Sequence, residues 1–114
     1  MPHIIIEHSD NLNSHVDFQA LVEDTQNALA DEGIDKARIK SRAIPLTHYV
    51  VGEKGKEGAM IHITLLLLEG RDVETKQQYS QAIYQLAKKS VEDYDGYCAV
   101  TLEVRDMDAP TYIL

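Results

Sequence analysis

The sequence predicts an α+β fold: a four-stranded sheet with two helices on one face, in the order β-α-β-β-α-β. Three observations carry that prediction. Short β-branched or apolar runs alternate with two longer stretches whose apolar residues recur at helical spacing. The chain also echoes itself: HIII at His3 and HITL at His62 each precede a turn and an amphipathic stretch, so two βαβ units of similar length follow one another. Finally, residues 59–68 are apolar on both faces of a strand, which requires cover from both sides. With 114 residues, a single domain spanning 1–114 is expected.

The elements follow in order. Residues 3–8, HIIIEH, form a β-branched strand ending in the turn chemistry of Ser9-Asp10-Asn11. A helix is predicted over 15–32, with Phe18, Leu21, Val22, Thr25 and Leu29 on one stripe and Gly33 as a left-handed cap. A second strand is predicted over 38–51, and Pro45 within it calls for an edge position, a bend or a bulge. Residues 52–58, GEKGKEG, mimic a phosphate loop only superficially. No Ser or Thr follows the lysine and no helix follows the loop, so a solvated hairpin tip is expected.

The third strand is 59–68. A second helix over 72–93 takes Asp72 as N-cap and Val73, Tyr79, Ala82, Ile83, Leu86 and Ser90 or Val91 as its stripe. A fourth strand alternates over 96–105 before a short tail. Each βαβ unit implies a parallel strand pair joined by a right-handed crossover. Two helices cover one sheet face only, so the apolar character of the third strand predicts a second subunit on the other.

Composition narrows the function. The formal net charge is −8, from 11 Lys+Arg against 19 Asp+Glu. Nucleic acid and anionic membrane surfaces both want a basic face, so neither is an expected partner. A small anionic ligand remains compatible, because charges beyond about 8 Å are screened and a few local cations dominate. The lone Cys98 forms no intrachain disulfide and fits a reducing compartment. The start lacks a basic leader region, and Glu7 interrupts its apolar run, so a cytoplasmic protein is expected.

The opening MPHIIIE places a proline directly behind methionine and directly before a strand. Removal of the methionine gives a free secondary amine. An α-amino group titrates near 7.7–8.0 when unperturbed, and burial or a nearby cation lowers that value. An amine so lowered takes and returns a proton near pH 7, and attachment to a strand end fixes its position. Pro2 is thus a candidate general base and acid.

The segments MPHIIIEHSDN, IKSR at 39–42, HITLLLLEGR at 62–71, ETKQQ at 74–78 and APT at 109–111 occur in order along nearly the whole chain. Together they resemble the 5-carboxymethyl-2-hydroxymuconate Δ-isomerase family of the tautomerase superfamily. The resemblance implies a tautomerase-like fold and a homotrimer whose sheets face inward. It implies an isomerase of aromatic catabolism that moves one proton, converting a 2-hydroxydienoate to its conjugated ketone without metal or cofactor. Pro2 is implied as the catalytic residue. Arg71 matches the arginine of the family's GR motif. Its place before a helix start independently suits an anion, and its planar fork suits a carboxylate. Arg42 matches one arginine of the family's IRSR segment, whereas Lys40 stands where the other arginine is expected. Lysine keeps the charge and loses the fork. Lys40 and Arg42 lie on the same side of the strand, so Arg42 is placed to share the carboxylate.

Other residues have plainer readings. His3 and His8, five apart on a strand, face opposite ways, and no His/Cys/Asp cluster has ligand spacing, so no metal site is expected. His62 reads as a packed strand histidine, Cys98 as an inert buried thiol, and Tyr79 and Tyr84 as helix packing. Two further functional classes stay open. One is a non-catalytic oligomer of the same fold acting as a binding or regulatory module. The other is a relative that uses the proline for hydration or dehalogenation, which needs a further group to activate water.

Overall fold

The computed structural model describes all residues 1–114. Four strands, β1 (His3–Ser9), β2 (Lys40–Leu46), β3 (Ala59–Leu68) and β4 (Cys98–Met107), form one sheet in the order β2-β1-β3-β4. The helices are α1 (Phe18–Asp31) and α2 (Val73–Ser90). β1 pairs parallel with β2, β3 pairs parallel with β4, and the two βαβ halves meet where β1 runs antiparallel to β3. The predicted element order and internal repeat are both present.

Strand alternation sorts the side chains between two faces. Ile4 and Ile6 of β1 and Ala59, Ile61, Ile63, Leu65 and Leu67 of β3 are fully buried beneath the helices. Leu21, Val22, Thr25 and Leu29 of α1 are buried, as their spacing predicts. Tyr79, Ile83 and Ala87 do the same for α2. Each buried aliphatic side chain stabilises the fold by roughly 1.5–3 kcal/mol. Val73 departs from the predicted stripe and is 65% exposed. It stands six residues before Tyr79, which at 3.6 residues per turn puts it about 120° off the buried side.

Asp17 starts α1 by accepting the Ala20 N–H at 3.1 Å. This cap, in extended backbone, starts the helix three residues later than the predicted 15. Gly33 closes the helix at φ 107°, its N–H donating to the Ala30 carbonyl at 3.0 Å. Asp72 caps α2 through the Thr75 N–H at 2.8 Å.

The second connection corrects two expectations. β2 ends at Leu46 rather than 51, and it is an edge strand, which tolerates Pro45. Because β1 lies between β2 and β3, residues 52–58 are not a hairpin tip. They form paired 3₁₀ turns about Gly55 within a connection that carries the chain past β1 to β3. The charged side chains Glu53, Lys54, Lys56 and Glu57 are exposed, while Val51 and Gly58 are buried anchors. A Cβ on Gly58 would lie 2.9 Å from the Cβ atoms of both Val51 and Lys54.

The sheet face away from the helices carries Met60, His62, Thr64, Leu66 and Leu68 of β3, all half-buried. His62 shares a 2.7 Å hydrogen bond with Thr101 Oγ1 and lies 3.5 Å from Glu103. No helix is long and apolar enough to cross a membrane.

His8 faces the helices, opposite to His3. It is 2% exposed, stacks on Phe18 with 3.5 Å between ring centroids, and donates from Nδ1 to the Ser9 carbonyl at 3.0 Å. Burial lowers its pKa; the Ser9 carbonyl and Asp10 act the other way without reversing that direction. The pKa of His3 is also lowered, by burial, Arg42, the terminal amine and Lys40. Below the unfolded value of about 6.5, the unfolded chain therefore binds more protons than the folded one, and stability decreases as the pH is lowered. Thermal melts are expected to show Tm falling between about pH 7 and pH 5, with a shallower fall in His8→Gln. Equal melting temperatures across that range would contradict the account.

Candidate active site

Three elements converge at the N-terminal end of β1. Parallel pairing sets Lys40, the start of β2, beside His3. Antiparallel pairing sets Leu66 of β3 across from His3, so β3 ends beside the chain start. Pro2 is buried here, and its carbonyl accepts the Lys40 N–H at 3.0 Å. That bond holds the first residues to the sheet before β1 formally begins.

Arg71 comes from the β3–α2 junction. Gly70, at φ 117°, turns the chain out of the strand, and Asp72 begins the helix immediately after. The Arg71 guanidinium donates to the Leu68 carbonyl at 3.4 Å and sits 5.8 Å from the centroid of the Tyr79 ring. Tyr79 is thus more than helix packing: it supports the cation from below. With Met1 in place, the terminal amine is held below the usual α-amino value. Burial is the largest cause, followed by the positive charges of Arg38 and then Arg71.

Lys40 and Arg42 share the open sheet face, as strand alternation predicts, and both are exposed. Lys40 Nζ donates back to the Ala37 carbonyl at 3.4 Å. Arg42 Nη1 lies 3.1 Å from His3 Nδ1. Pro2 and Arg71 are therefore gathered at one end of the sheet. Lys40 reaches that end through its backbone, and Arg42 lies one step farther along β2.

Arg38 was not among the residues singled out by the sequence. The predicted strand began at 38, which made Arg38 one more alternating strand residue. In the structure it belongs to the 3₁₀ turn Lys36–Arg38 ahead of β2. The available signal was the parallel pairing itself: when β1 and β2 start together, the residues before β2 flank the residues before β1.

A family model described as 5-carboxymethyl-2-hydroxymuconate isomerase matches residues 2–113. The chain belongs to the 5-carboxymethyl-2-hydroxymuconate isomerase family. Family membership makes this protein an isomerase. Among curated proteins, the 5-carboxymethyl-2-hydroxymuconate Delta-isomerase of Escherichia coli is 33% identical over 89 residues, covering 77% of this chain and 71% of that one. A crystal structure of a 5-carboxymethyl-2-hydroxymuconate isomerase from Deinococcus radiodurans R1 superposes with a TM-score of 0.89 at 19% identity. That match covers 99% of this chain and 87% of the other. A fused 4-OT wild-type symmetric trimer matches with a TM-score of 0.75 at 20% identity, covering 98% and 90% of the two chains. At those identities the two structures establish the tautomerase-like fold.

Cys98, read from sequence as an inert thiol, is half-buried, and burial pushes its pKa up, which keeps the thiol protonated and unreactive near neutral pH.

Proposed function

We propose that this isomerase moves a proton within an unsaturated 2-hydroxy or 2-oxo di- or tricarboxylate of the 5-carboxymethyl-2-hydroxymuconate type. Pro2, freed by removal of Met1, is its general base and acid. The observation that carries this reading is the setting of the chain start: partly buried, tied to β2, and under the positive field of Arg38 and Arg71. A secondary amine there stays partly neutral near pH 7 and keeps a fixed direction. It takes the proton of the enol hydroxyl and returns a proton to the far carbon of the diene. The product is a ketone conjugated with the remaining double bond. The amine begins and ends the cycle neutral.

The substrate's carboxylates account for the cations. Arg71 takes one carboxylate in two-point contact, with the first N–H groups of α2 adding a favourable field. Lys40 and Arg42 hold a second carboxylate along the edge of β2. A binding module requires no neutral amine, whereas the surroundings of the chain start, which lower the pKa of the Met1 amine through burial, Arg38 and Arg71, favour one. The test is ultraviolet-monitored ketonisation of 2-hydroxymuconate by protein whose mass shows Met1 removed. Acceleration over the solution rate supports the reading, and its absence contradicts it.

The same reading includes a homotrimer. Met60, Leu66 and Leu68 are left half-covered on the open sheet face, and Ile44 on β2 is 42% exposed. Copies of this chain packing sheet to sheet remove that surface from water. Sedimentation equilibrium at micromolar concentration is expected to give three times the 12.8 kDa chain mass. A monomer under those conditions would contradict it.

A further inference from the structure

The residue after Pro2 has no role in the mechanism above, yet it joins three parts of the molecule. His3 lies on the open sheet face, opposite Lys40 in the β1–β2 register. Its Nδ1 is 3.1 Å from Arg42 Nη1, and its Nε2 is 2.9 Å from the Tyr112 hydroxyl. The imidazole and phenol rings meet edge-on, with centroids 6.0 Å apart. A guanidinium has donors only. Nδ1 must therefore be the acceptor, which leaves the proton on Nε2 and makes Nε2–H the donor to Tyr112. The contacts fix both the charge and the tautomer of the ring.

We propose that His3 is a positioning residue of the substrate site: a neutral, Nε2-protonated imidazole that aims the Arg42 guanidinium and clasps the C-terminal segment at Tyr112. This inference rests on the reading of Arg42 as a carboxylate ligand. Arginine side chains have many rotamers, and fixing one before the substrate arrives lowers the entropic cost of binding. Protonation of His3 puts a donor against a donor, so Arg42 is released when the ring becomes charged. The groups facing the ring are Arg42 and Lys40 from β2, the chain-terminal amine, and Tyr112 from the C-terminal segment. Burial, Arg42, the amine of Met1 where it is retained, and Lys40 all oppose protonation.

The experiment has two arms. Long-range ¹H–¹⁵N NMR of the intact protein is expected to show His3 neutral at about pH 7, with Nε2 carrying the proton. An imidazolium or an Nδ1–H ring at that pH overturns the proposal. In kinetics with 2-hydroxymuconate, His3→Leu is expected to raise KM about tenfold with little change in kcat. His3→Gln supplies an amide oxygen to Arg42 and an amide N–H to Tyr112, so it restores KM near neutral pH. It also removes the rise in KM that wild type shows as His3 protonates. An unchanged KM in His3→Leu, or a His3→Gln profile parallel to wild type, overturns the role. If wild type shows no turnover, the tautomerase reading fails separately. Titration of adipate, an unreactive dicarboxylate, then decides His3: weaker binding in His3→Leu supports the proposal, and equal binding overturns it.

Discussion

Replacing Pro2 by Ala, in protein lacking Met1, is expected to lower the rate of ketonisation by a factor of about 10²–10⁴. The variant keeps an amine at the same place in the chain, so the loss measures what the ring contributes. Proline fixes φ and presents a secondary amine in one direction. Alanine leaves a primary amine that rotates and is hydrated. Pro2 is buried, and its carbonyl stays bonded to the Lys40 N–H in either residue, so the strand itself is not disturbed. The comparison requires kcat for both proteins, with circular dichroism to show the fold intact. Equal rates would show that the proline ring contributes nothing to the proton transfer. In wild type, the rate should rise with pH through the amine's pKa, because only the neutral amine accepts the proton. That pKa is expected below the ordinary α-amino value, because the Pro2 amine sits beside the position where burial, Arg38 and Arg71 lower the amine of Met1.

Arg71→Ala is expected to raise KM for a dicarboxylate enol about tenfold to a hundredfold, the range for losing a charge-assisted hydrogen-bonding partner. Its intramolecular contacts are weak by comparison. The hydrogen bond to the Leu68 carbonyl is long at 3.4 Å, and the Tyr79 ring centroid is 5.8 Å away. The cation is thus held in place without being neutralised by a carboxylate. Loss of the Tyr79 contact costs about 0.5–1 kcal/mol of stability, too little to account for a hundredfold change in KM. The discriminating control is a neutral enol without carboxylates. A KM that changes equally for both substrates would show that Arg71 does not bind a carboxylate.

Local signals carried most of the fold. The spacing of Leu21, Val22, Thr25 and Leu29 marks the buried side of α1, and these four residues are its buried ones. Asp72 and Gly33 mark helix ends because capping and positive φ are demands on single residues. The repeat of HIII and HITL anticipates two parallel pairs, β1 with β2 and β3 with β4. What local pattern does not encode is which pairs become neighbours. Residues 38–51 and 59–68 look like the arms of a hairpin, yet β1 separates them. The preference for β1 in the middle is global: its central place goes with the complete burial of Ile4 and Ile6.

Of the candidate site, Pro2 and Arg71 stand out in the sequence through unusual positions, one behind the initiator and one between strand and helix. Arg38 does not stand out, because its approach to the chain start comes from register rather than sequence neighbourhood. His3 was read only for the face it occupies. Its ties to Arg42 and Tyr112 span 39 and 109 residues of sequence, distances over which no spacing argument operates.

The central claim is that a free, partly neutral proline amine moves the proton. The most direct measurement follows ketonisation of 2-hydroxymuconate across pH with two preparations, one with Met1 removed and one retaining it. In the second, the Pro2 nitrogen is a tertiary amide and cannot act as a base. The account predicts acceleration only in the first, rising through a single deprotonation below the ordinary α-amino value. Equal acceleration by both preparations, or none by the first, would contradict it.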